Sequence, residues 1–269
     1  MFKKYGYLGI ILILFAGLNF FLKIKPFDLW YIPIIWWGYI LLVDSLVFHL
    51  SQKSLLSSYP KKFWLVVLLS IPLWAVFEWY NLFIQNWYYV NYTFWIHIVN
   101  FTIIFPAVLE TYYLLRALRL FEKIKLKHKH NVSPRLITVM ILLGTVGCIL
   151  PFIFPRYAFY LVWIAFFLLL DPINYTLGNP SIIKHLHDGK LNIPLCLFFG
   201  AIICGIFWEF WNYWAFPKWF YEIPFIGFFK IFEMPILGYI GYGPFGWEVY
   251  SMYNFVAGLF SKNKKEEIE

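Results

Sequence analysis

The chain has 269 residues, of which 62% are hydrophobic and 13% are charged. Soluble globular domains are about 25% charged, so this composition argues against a soluble protein. The formal net charge is +8, but the basic residues fall in short runs between apolar stretches, as in cytoplasmic loops. We therefore expect a membrane protein whose partners are membrane lipids and a lipophilic small molecule, and we expect no nucleic acid.

A membrane-spanning helix needs about 20 mostly apolar residues. Hydropathy predicts an all-α, single-domain chain with eight such spans, at 5–22, 30–50, 64–84, 95–117, 136–154, 157–176, 191–213 and 236–259. No small-residue cleavage site follows the first run, so we interpret it as an uncleaved span and not as a signal peptide.

The distribution of basic residues predicts the orientation in the membrane. With the N-terminus inside, five Lys and Arg fall in outer segments: Lys23, Lys25, Arg156, Lys218 and Lys230. The other seventeen fall in cytoplasmic segments, many of them in the loop at 116–135 and the tail at 261–269. We therefore expect both termini in the cytoplasm and the 116–135 loop against anionic headgroups.

The ends of the third and seventh spans, FEWYNLFIQNWYY and WEFWNYWAFPKWFY, are similar. Their alignment pairs Glu78 with Glu209, Asn81 with Asn212, and, after a one-residue gap, Trp87 with Trp219. A second match pairs Pro106, Glu110 and Tyr112 with Pro244, Glu248 and Tyr250, and a third pairs Asp44 with Asp171. Three matches in one order predict two parallel repeats of four helices, at about 1–122 and 136–260.

Six acids therefore lie within or at the edge of predicted spans: Asp44, Glu78, Glu110, Asp171, Glu209 and Glu248. An ionised side chain at the bilayer centre costs at least about 2.5–3.5 kcal/mol, so such residues usually have a function. The structural alternative is that they hold helices together by pairing with Arg116, Lys218 or backbone donors.

The surroundings of Glu209 favour a protonated acid. Aromatic residues flank it on both sides in the sequence, and Asn212 lies on the same helical face, where its amide can orient the carboxyl group. A protonated acid within aromatic walls can protonate an alkene or epoxide of a polyisoprenoid, and the ring faces then stabilise the carbocation. No metal or cofactor is required for this step.

The segments WEFWNYWAFPKWFY and GYIGYGPFGWEVYSMY resemble the membrane lycopene cyclase-type domain. This resemblance implies proton-initiated cyclisation of a polyene without redox turnover. It places Glu209 at the family's Trp-Asp acid and Glu248 at its acid after the proline, with Glu78 and Glu110 as counterparts in the first half. The chain departs from the family in having Glu in place of Asp and a single glutamate in place of a pair.

We therefore expect a carotenoid or terpenoid cyclase or isomerase in which Glu209 and Glu248 are acid and base, and Glu78 and Glu110 are a second pair or supports. The predicted substrate-binding residues are Asn212, Asn81, Trp211, Trp219, Tyr250, Asp171 and Asp44. Two alternatives stay open. A proton- or cation-coupled transporter would have a polar cavity that opens alternately to each side, and a non-catalytic scaffold would have paired acids and no cavity.

Three further features give weaker expectations. The segment 216–235 is either interfacial or re-entrant, and Glu233 in it either caps the last span or joins the acids. His185, His187 and Asp188 form a loop cluster that we expect to be solvated and not metal-bound. The three cysteines have no zinc-type spacing, so neither a disulfide nor a structural zinc is expected.

Overall fold

The structure is a computed structural model that describes residues 1–124, 126 and 131–260. Parts of the predicted basic loop, and the whole tail at 261–269, lie outside the described residues. The α-helices are α1 (Lys4–Leu22), α2 (Tyr31–Ser51), α3 (Leu55–Ser58), α4 (Pro60–Ile84), α5 (Phe94–Phe101), α6 (Ile104–Ala117), α7 (Pro134–Ile153), α8 (Pro155–Ala158), α9 (Ala165–Leu177), α10 (Ile182–His187), α11 (Asn192–Trp214) and α12 (Tyr239–Phe260).

Strands occupy two connections that the all-α prediction left without regular structure. They are β1 (Trp87–Val90), β2 (Lys218–Tyr221), β3 (Lys230–Ile231) and β4 (Met234–Pro235), and two 3₁₀-helices cover Phe159–Trp163 and Ile236–Gly238. β1 pairs antiparallel with β2, and β3 with β4. Because β1 follows α4 and β2 follows α11, the first ribbon joins the ends of the two helices that the sequence comparison aligned.

Six helices of the described chain are long and apolar enough to cross a membrane, and a bent pair makes seven if it is one span. The bent pair is Pro155–Trp163 with Ala165–Leu177, which meet at 41°. α5 and α6 count as one span, Phe94–Ala117. α12, the eighth predicted span, is not among the seven although it is 22 residues long.

Four helices form the centre of the fold. Each contributes a large side chain with almost no exposed surface: Trp36 from α2, Phe105 from α6, Leu197 from α11 and Phe245 from α12. By contrast, only 22% of α1 and 17% of α7 are buried, against 67% of α2. The outer faces of α1 and α7 are apolar, as expected for helices in contact with lipid.

α1 packs closely against α2 where two glycines meet. A Cβ atom added to Gly38 would lie 2.9 Å from the carbonyl oxygen of Gly9, which is closer than normal contacts allow. The absence of side chains therefore lets the two backbones touch, as is common between membrane helices.

Candidate functional site

A cavity of about 490 Å³ lies between the β1–β2 ribbon and the helices beneath it. This volume is in the range of small-molecule sites. Of the 28 described residues that line the cavity, 13 are Phe, Tyr or Trp, and none is Asp, Glu, Lys or Arg. Three lining residues, Tyr160, Leu237 and Ile240, are also exposed on the outer surface, so the rim of the cavity is apolar.

The register of the ribbon determines which of its side chains line the cavity. Trp87 lies opposite Tyr221, and Tyr89 lies opposite Trp219. Side chains alternate between the faces of a strand, so these four project from one face, and all four line the cavity. Tyr88 and Phe220 project from the other face, where their rings stack with centroids 5.5 Å apart.

Asn81 and Asn212 hold the ribbon on the ends of α4 and α11. The Asn212 amide donates to the carbonyl oxygen of Trp219 at 2.8 Å and accepts from its N–H at 2.9 Å. Asn81 makes the same two contacts with Trp87, at 2.7 and 3.2 Å. The sequence-based expectation placed these amides on the carboxyl groups; the structure places them on the strand backbone, because each helix ends within reach of the matched tryptophan.

Glu209 is fully buried behind the cavity wall, and its hydrogen-bond donors are part of that wall. Its Oε1 atom accepts from the Tyr221 hydroxyl at 2.8 Å and from the Tyr242 hydroxyl at 2.6 Å. The Trp219 indole donates in turn to the Tyr221 hydroxyl at 2.7 Å. The Glu209 Oε2 atom has no hydrogen-bond partner among the described residues.

Glu78 occupies the matching place behind β1. Its Oε1 atom accepts from the Tyr89 hydroxyl at 2.5 Å and from the indoles of Trp74 at 2.8 Å and Trp87 at 3.3 Å. All three donors line the cavity, whereas Glu78 itself does not. In each half of the chain, a carboxyl group therefore lies just behind the cavity wall, and a phenol side chain separates that carboxyl group from the cavity.

The two strand phenols keep their protons at neutral pH. Burial raises the pKa of Tyr221 well above its usual value, and the nearby Glu209 carboxyl group raises it further. Burial and the Glu78 carboxyl group raise the pKa of Tyr89 in the same way. Both hydroxyl groups are consequently donors to the carboxyl groups behind them.

Asp44 and Asp171 lie away from the cavity and cap two short helices. The Asp44 carboxyl group accepts from the Leu56 N–H at 2.7 Å and from the Ser54 hydroxyl at 2.8 Å, at the start of α3. Asp171 accepts from the N–H groups of Ile182 and Ile183 at 2.8 and 2.9 Å, at the start of α10. These contacts account for both carboxyl groups structurally, so the assignment of the two aspartates to substrate binding is not supported by their positions.

Glu110 and Glu248 are fully buried, and neither lines the cavity. The Glu248 Oε1 atom accepts from the Phe166 N–H at 3.0 Å, at the bend before α9. Glu110 lies close to Asp44, and its oxygen atoms make no hydrogen bond of normal geometry to a described residue. The predicted pairing of Glu209 with Glu248 across one chamber therefore differs from the observed arrangement, in which Glu78 is the second acid at the cavity.

The aromatic residues singled out in the sequence have different positions. Trp219 lines the cavity. Trp211 packs edge-on against Trp36 with ring centroids 4.7 Å apart, and Tyr250 contacts His185 at 3.2 Å; both lie outside the lining. Helix periodicity alone does not separate a core face from a cavity face when both are aromatic.

The remaining sequence features have structural explanations. The segment 216–235 contributes Trp219, Tyr221 and Met234 to the cavity wall. Glu233 pairs with Lys218 at 2.7 Å and lies close enough to Glu209 for their carboxyl groups to interact. His185 is buried, whereas His187 is exposed beside Asp188. Within the described residues, no group of three or more metal-ligating side chains is close enough to hold a metal ion.

The phenols and indoles that donate hydrogen bonds to the two carboxyl groups were not predicted from the sequence. They are Tyr221, Tyr242, Tyr89, Trp74 and Trp87. One signal for them was present. A tyrosine follows two residues after the matched tryptophan in both halves, in WYY and WFY. Tyr242 comes from a different helix, so no local pattern points to it.

Comparisons of the chain with protein-family models, with curated proteins and with solved structures find no match.

Proposed function

We propose that this chain is a membrane-embedded enzyme that cyclises or isomerises a carotenoid or terpenoid in the aromatic cavity. The observation that carries the proposal is a pair of phenol groups in the wall of one cavity, each hydrogen-bonded to a carboxyl group: Tyr221 to Glu209 and Tyr89 to Glu78. Among the described residues, no Asp, Glu, Lys or Arg lines this cavity. The apolar rim suits a substrate that arrives from the lipid phase.

The proposed setting is eight spans in two parallel repeats of four, with both termini in the cytoplasm. Matched contacts support the repeats: Asn81 and Asn212 bind equivalent tryptophans, and Asp44 and Asp171 cap equivalent short helices that begin after Ser54 and Ser181. In this orientation α4 and α11 end on the outer side, so the cavity lies toward the outer leaflet.

The proposed reaction begins at the Glu209 cluster. A proton passes from the Tyr242 or Tyr221 hydroxyl to an alkene or epoxide, and the protonated Glu209 carboxyl group returns a proton to the phenol. In an alkene, a C–H bond forms as the C=C π bond breaks; in an epoxide, an O–H bond forms and a ring C–O bond breaks. Either event leaves a carbocation. A second alkene attacks this carbocation and closes the ring by a new C–C bond.

The aromatic wall stabilises the cationic intermediate. Trp163, Trp208 and Phe245 line the cavity and present ring faces or edges to its interior. Their quadrupoles attract positive charge, and the apolar wall excludes the water that would capture the cation. The reaction ends when the Tyr89–Glu78 pair removes a proton, so the product is an isomer of the substrate. Glu78 then holds the proton that Glu209 has lost, and exchange with solvent after product release restores both carboxyl groups.

The test is expression of the chain in a host that makes linear polyenes, with lipid extracts analysed by chromatography and mass spectrometry. We expect a new isomer of a polyene that disappears in Glu209→Gln. Glu222→Gln is the matched control, because Glu222 is exposed and carries the same substitution close to the same strand. An unchanged extract across a panel of polyenes would contradict the proposal.

One observation favours a proton- or cation-coupled transporter as the second candidate. The span from Pro155 to Leu177 is bent at the cavity, where Trp163 and Ile164 line the wall, and Glu248 caps the second half of the bend. Broken helices near a binding site are typical of transporters. The apolar lining favours the enzyme, and proton-coupled uptake in vesicles that contain the purified protein would favour the transporter.

A further inference from the structure

One end of the cavity is polar, in contrast with the rest of its wall. Tyr92, His97 and Asn100 line this end, in the segment from the end of β1 to the end of α5, and Asn86 lines the cavity from the residue before β1. The His97 ring stands edge-on to Tyr89 with centroids 4.5 Å apart and contacts Tyr92 at 4.8 Å. The polar end therefore adjoins the Tyr89–Glu78 pair.

Three of these residues carry buried polar atoms without partners. Asn100 is 8% exposed, and neither its amide nitrogen nor its oxygen has a hydrogen-bond partner among the described residues. The same holds for the Oδ1 atom of Asn86, which is 2% exposed, and for the Tyr92 hydroxyl, which lies near the Asn100 side chain without a hydrogen bond of normal geometry to it. Most buried polar groups in proteins are hydrogen-bonded, because an unmade bond is costly. Two such neighbouring groups at one end of the cavity, with a third elsewhere in its wall, indicate a ligand that supplies their partners.

The chemistry of this end restricts the ligand. Amide and phenol groups donate to and accept from neutral oxygen. A diphosphate or carboxylate head would need Lys, Arg or a metal ion to offset its charge, and no Lys or Arg is among the described lining residues. A pure hydrocarbon, conversely, would leave all of the polar atoms unpaired.

We infer that the cavity takes an isoprenoid with a neutral oxygen group, such as an alcohol, at one end. The oxygen is bound by Asn100 and Tyr92, and the apolar chain extends along the Trp163 and Phe245 wall. This inference rests on the proposed function and narrows its substrate class to neutral, oxygenated compounds.

The test compares three probes with one polyene skeleton: retinol, retinoic acid and the hydrocarbon axerophthene. The purified protein is kept in detergent, and energy transfer from its tryptophans to the polyene reports binding, because Trp74, Trp87 and Trp163 line the cavity. We expect retinol to bind about tenfold more tightly than the hydrocarbon, as one or two hydrogen bonds give, and more tightly than the acid.

Substitutions at the polar end test whether its side chains cause the preference for retinol over the hydrocarbon. Asn100→Leu and, independently, Tyr92→Phe should remove most of the retinol preference and leave the hydrocarbon affinity unchanged, which also shows that each variant is folded. Tyr88→Phe is the matched control, because Tyr88 is 51% exposed on the opposite face of the ribbon. It should keep the full preference.

The outcomes separate the two proposals. Equal affinities for retinol and the hydrocarbon, or tightest binding of retinoic acid, would overturn this inference and leave the proposed function standing. No binding of any probe, in a protein that melts cooperatively, would overturn both.

Discussion

The carboxyl groups of Glu78 and Glu209 are held by the same sequence elements but by different donors. Glu78 is partly exposed and accepts three hydrogen bonds, two from indoles and one from a phenol. Glu209 is fully buried, accepts from two phenols through one oxygen, and leaves the other oxygen without a described partner. The two halves therefore place their carboxyl groups in the same way but surround them with different hydrogen-bond donors.

This difference suggests which carboxyl group holds the proton. Hydrogen bonds donated to a carboxyl group favour its charged form, whereas burial favours its neutral form. Glu78 is the less buried of the two and accepts three hydrogen bonds, so it is the better carboxylate; Glu209 is fully buried and has one oxygen without a described partner, so it is the better acid. Two similar groups in environments that separate their protonation states are typical of acid and base pairs in enzymes.

The largest effect should come from removing the acid. We expect Glu209→Gln to lower turnover by at least about 100-fold, because the amide cannot return a proton to Tyr221 or Tyr242. Glu78→Gln should lower it less, because a carbocation is so strong an acid that a weaker base, such as the new amide oxygen, can still take its proton. Turnover in isolated membranes measures both. Equal losses in the two variants would contradict the assignment of acid and base.

Replacing a phenol should also lower turnover more at Glu209 than at Glu78, but the difference should be smaller than for the two carboxyl groups. Tyr242→Phe removes a donor to Glu209, and we expect kcat to fall about tenfold with KM nearly unchanged. Tyr89→Phe leaves Glu78 with two indole donors, so its kcat should fall by less. If Tyr89→Phe were the more damaging substitution, the direction of proton transfer would be the reverse of that proposed.

The scaffold should respond equally in the two halves. Asn81→Ala and Asn212→Ala each remove the amide that holds a strand, and we expect each to cost about 1–3 kcal/mol of stability. Thermal unfolding in detergent measures this loss. A large effect in one half only would show that the ribbon depends on a single attachment and would weaken the case for equivalent halves.

The smallest effect concerns alkaline pH. The pKa of Tyr221 is raised in the folded protein, so its contribution to stability is complete below its unfolded value of about 10 and is lost as the pH rises above it. We expect the thermal midpoint to fall less steeply above pH 10 in Tyr221→Phe than in the unchanged protein. Parallel slopes would show that Tyr221 is not buried as described.

The helices were the predictable part of the fold. Hydropathy located α1, α2, α4, α7 and α11 to within a few residues, because an apolar run long enough to cross a membrane has the helix as its usual structure. The alignment also paired Glu78 with Glu209 and Asn81 with Asn212 before their contacts were seen.

The walls of the cavity were not predictable in the same way. Tyr242 reaches Glu209 from α12, 33 residues away, and the polar end comes from the short helix α5. Such contacts depend on the rotation of each helix about its axis relative to its neighbours. The local periodicity of a single sequence does not determine that rotation. The strands were missed because four residues of mixed aromatic sequence resemble an interfacial loop.

The attachment of the ribbon through Asn81 and Asn212 has a consequence for how the chain can vary. Trp87 follows Asn81 by six residues, and Trp219 follows Asn212 by seven. Each amide nevertheless makes the same two hydrogen bonds to the backbone of its tryptophan. The connection therefore accommodates a difference of one residue. One extra residue inside either strand would instead exchange the inward and outward side chains beyond it on that strand, which would turn Tyr221 or Tyr89 away from the cavity.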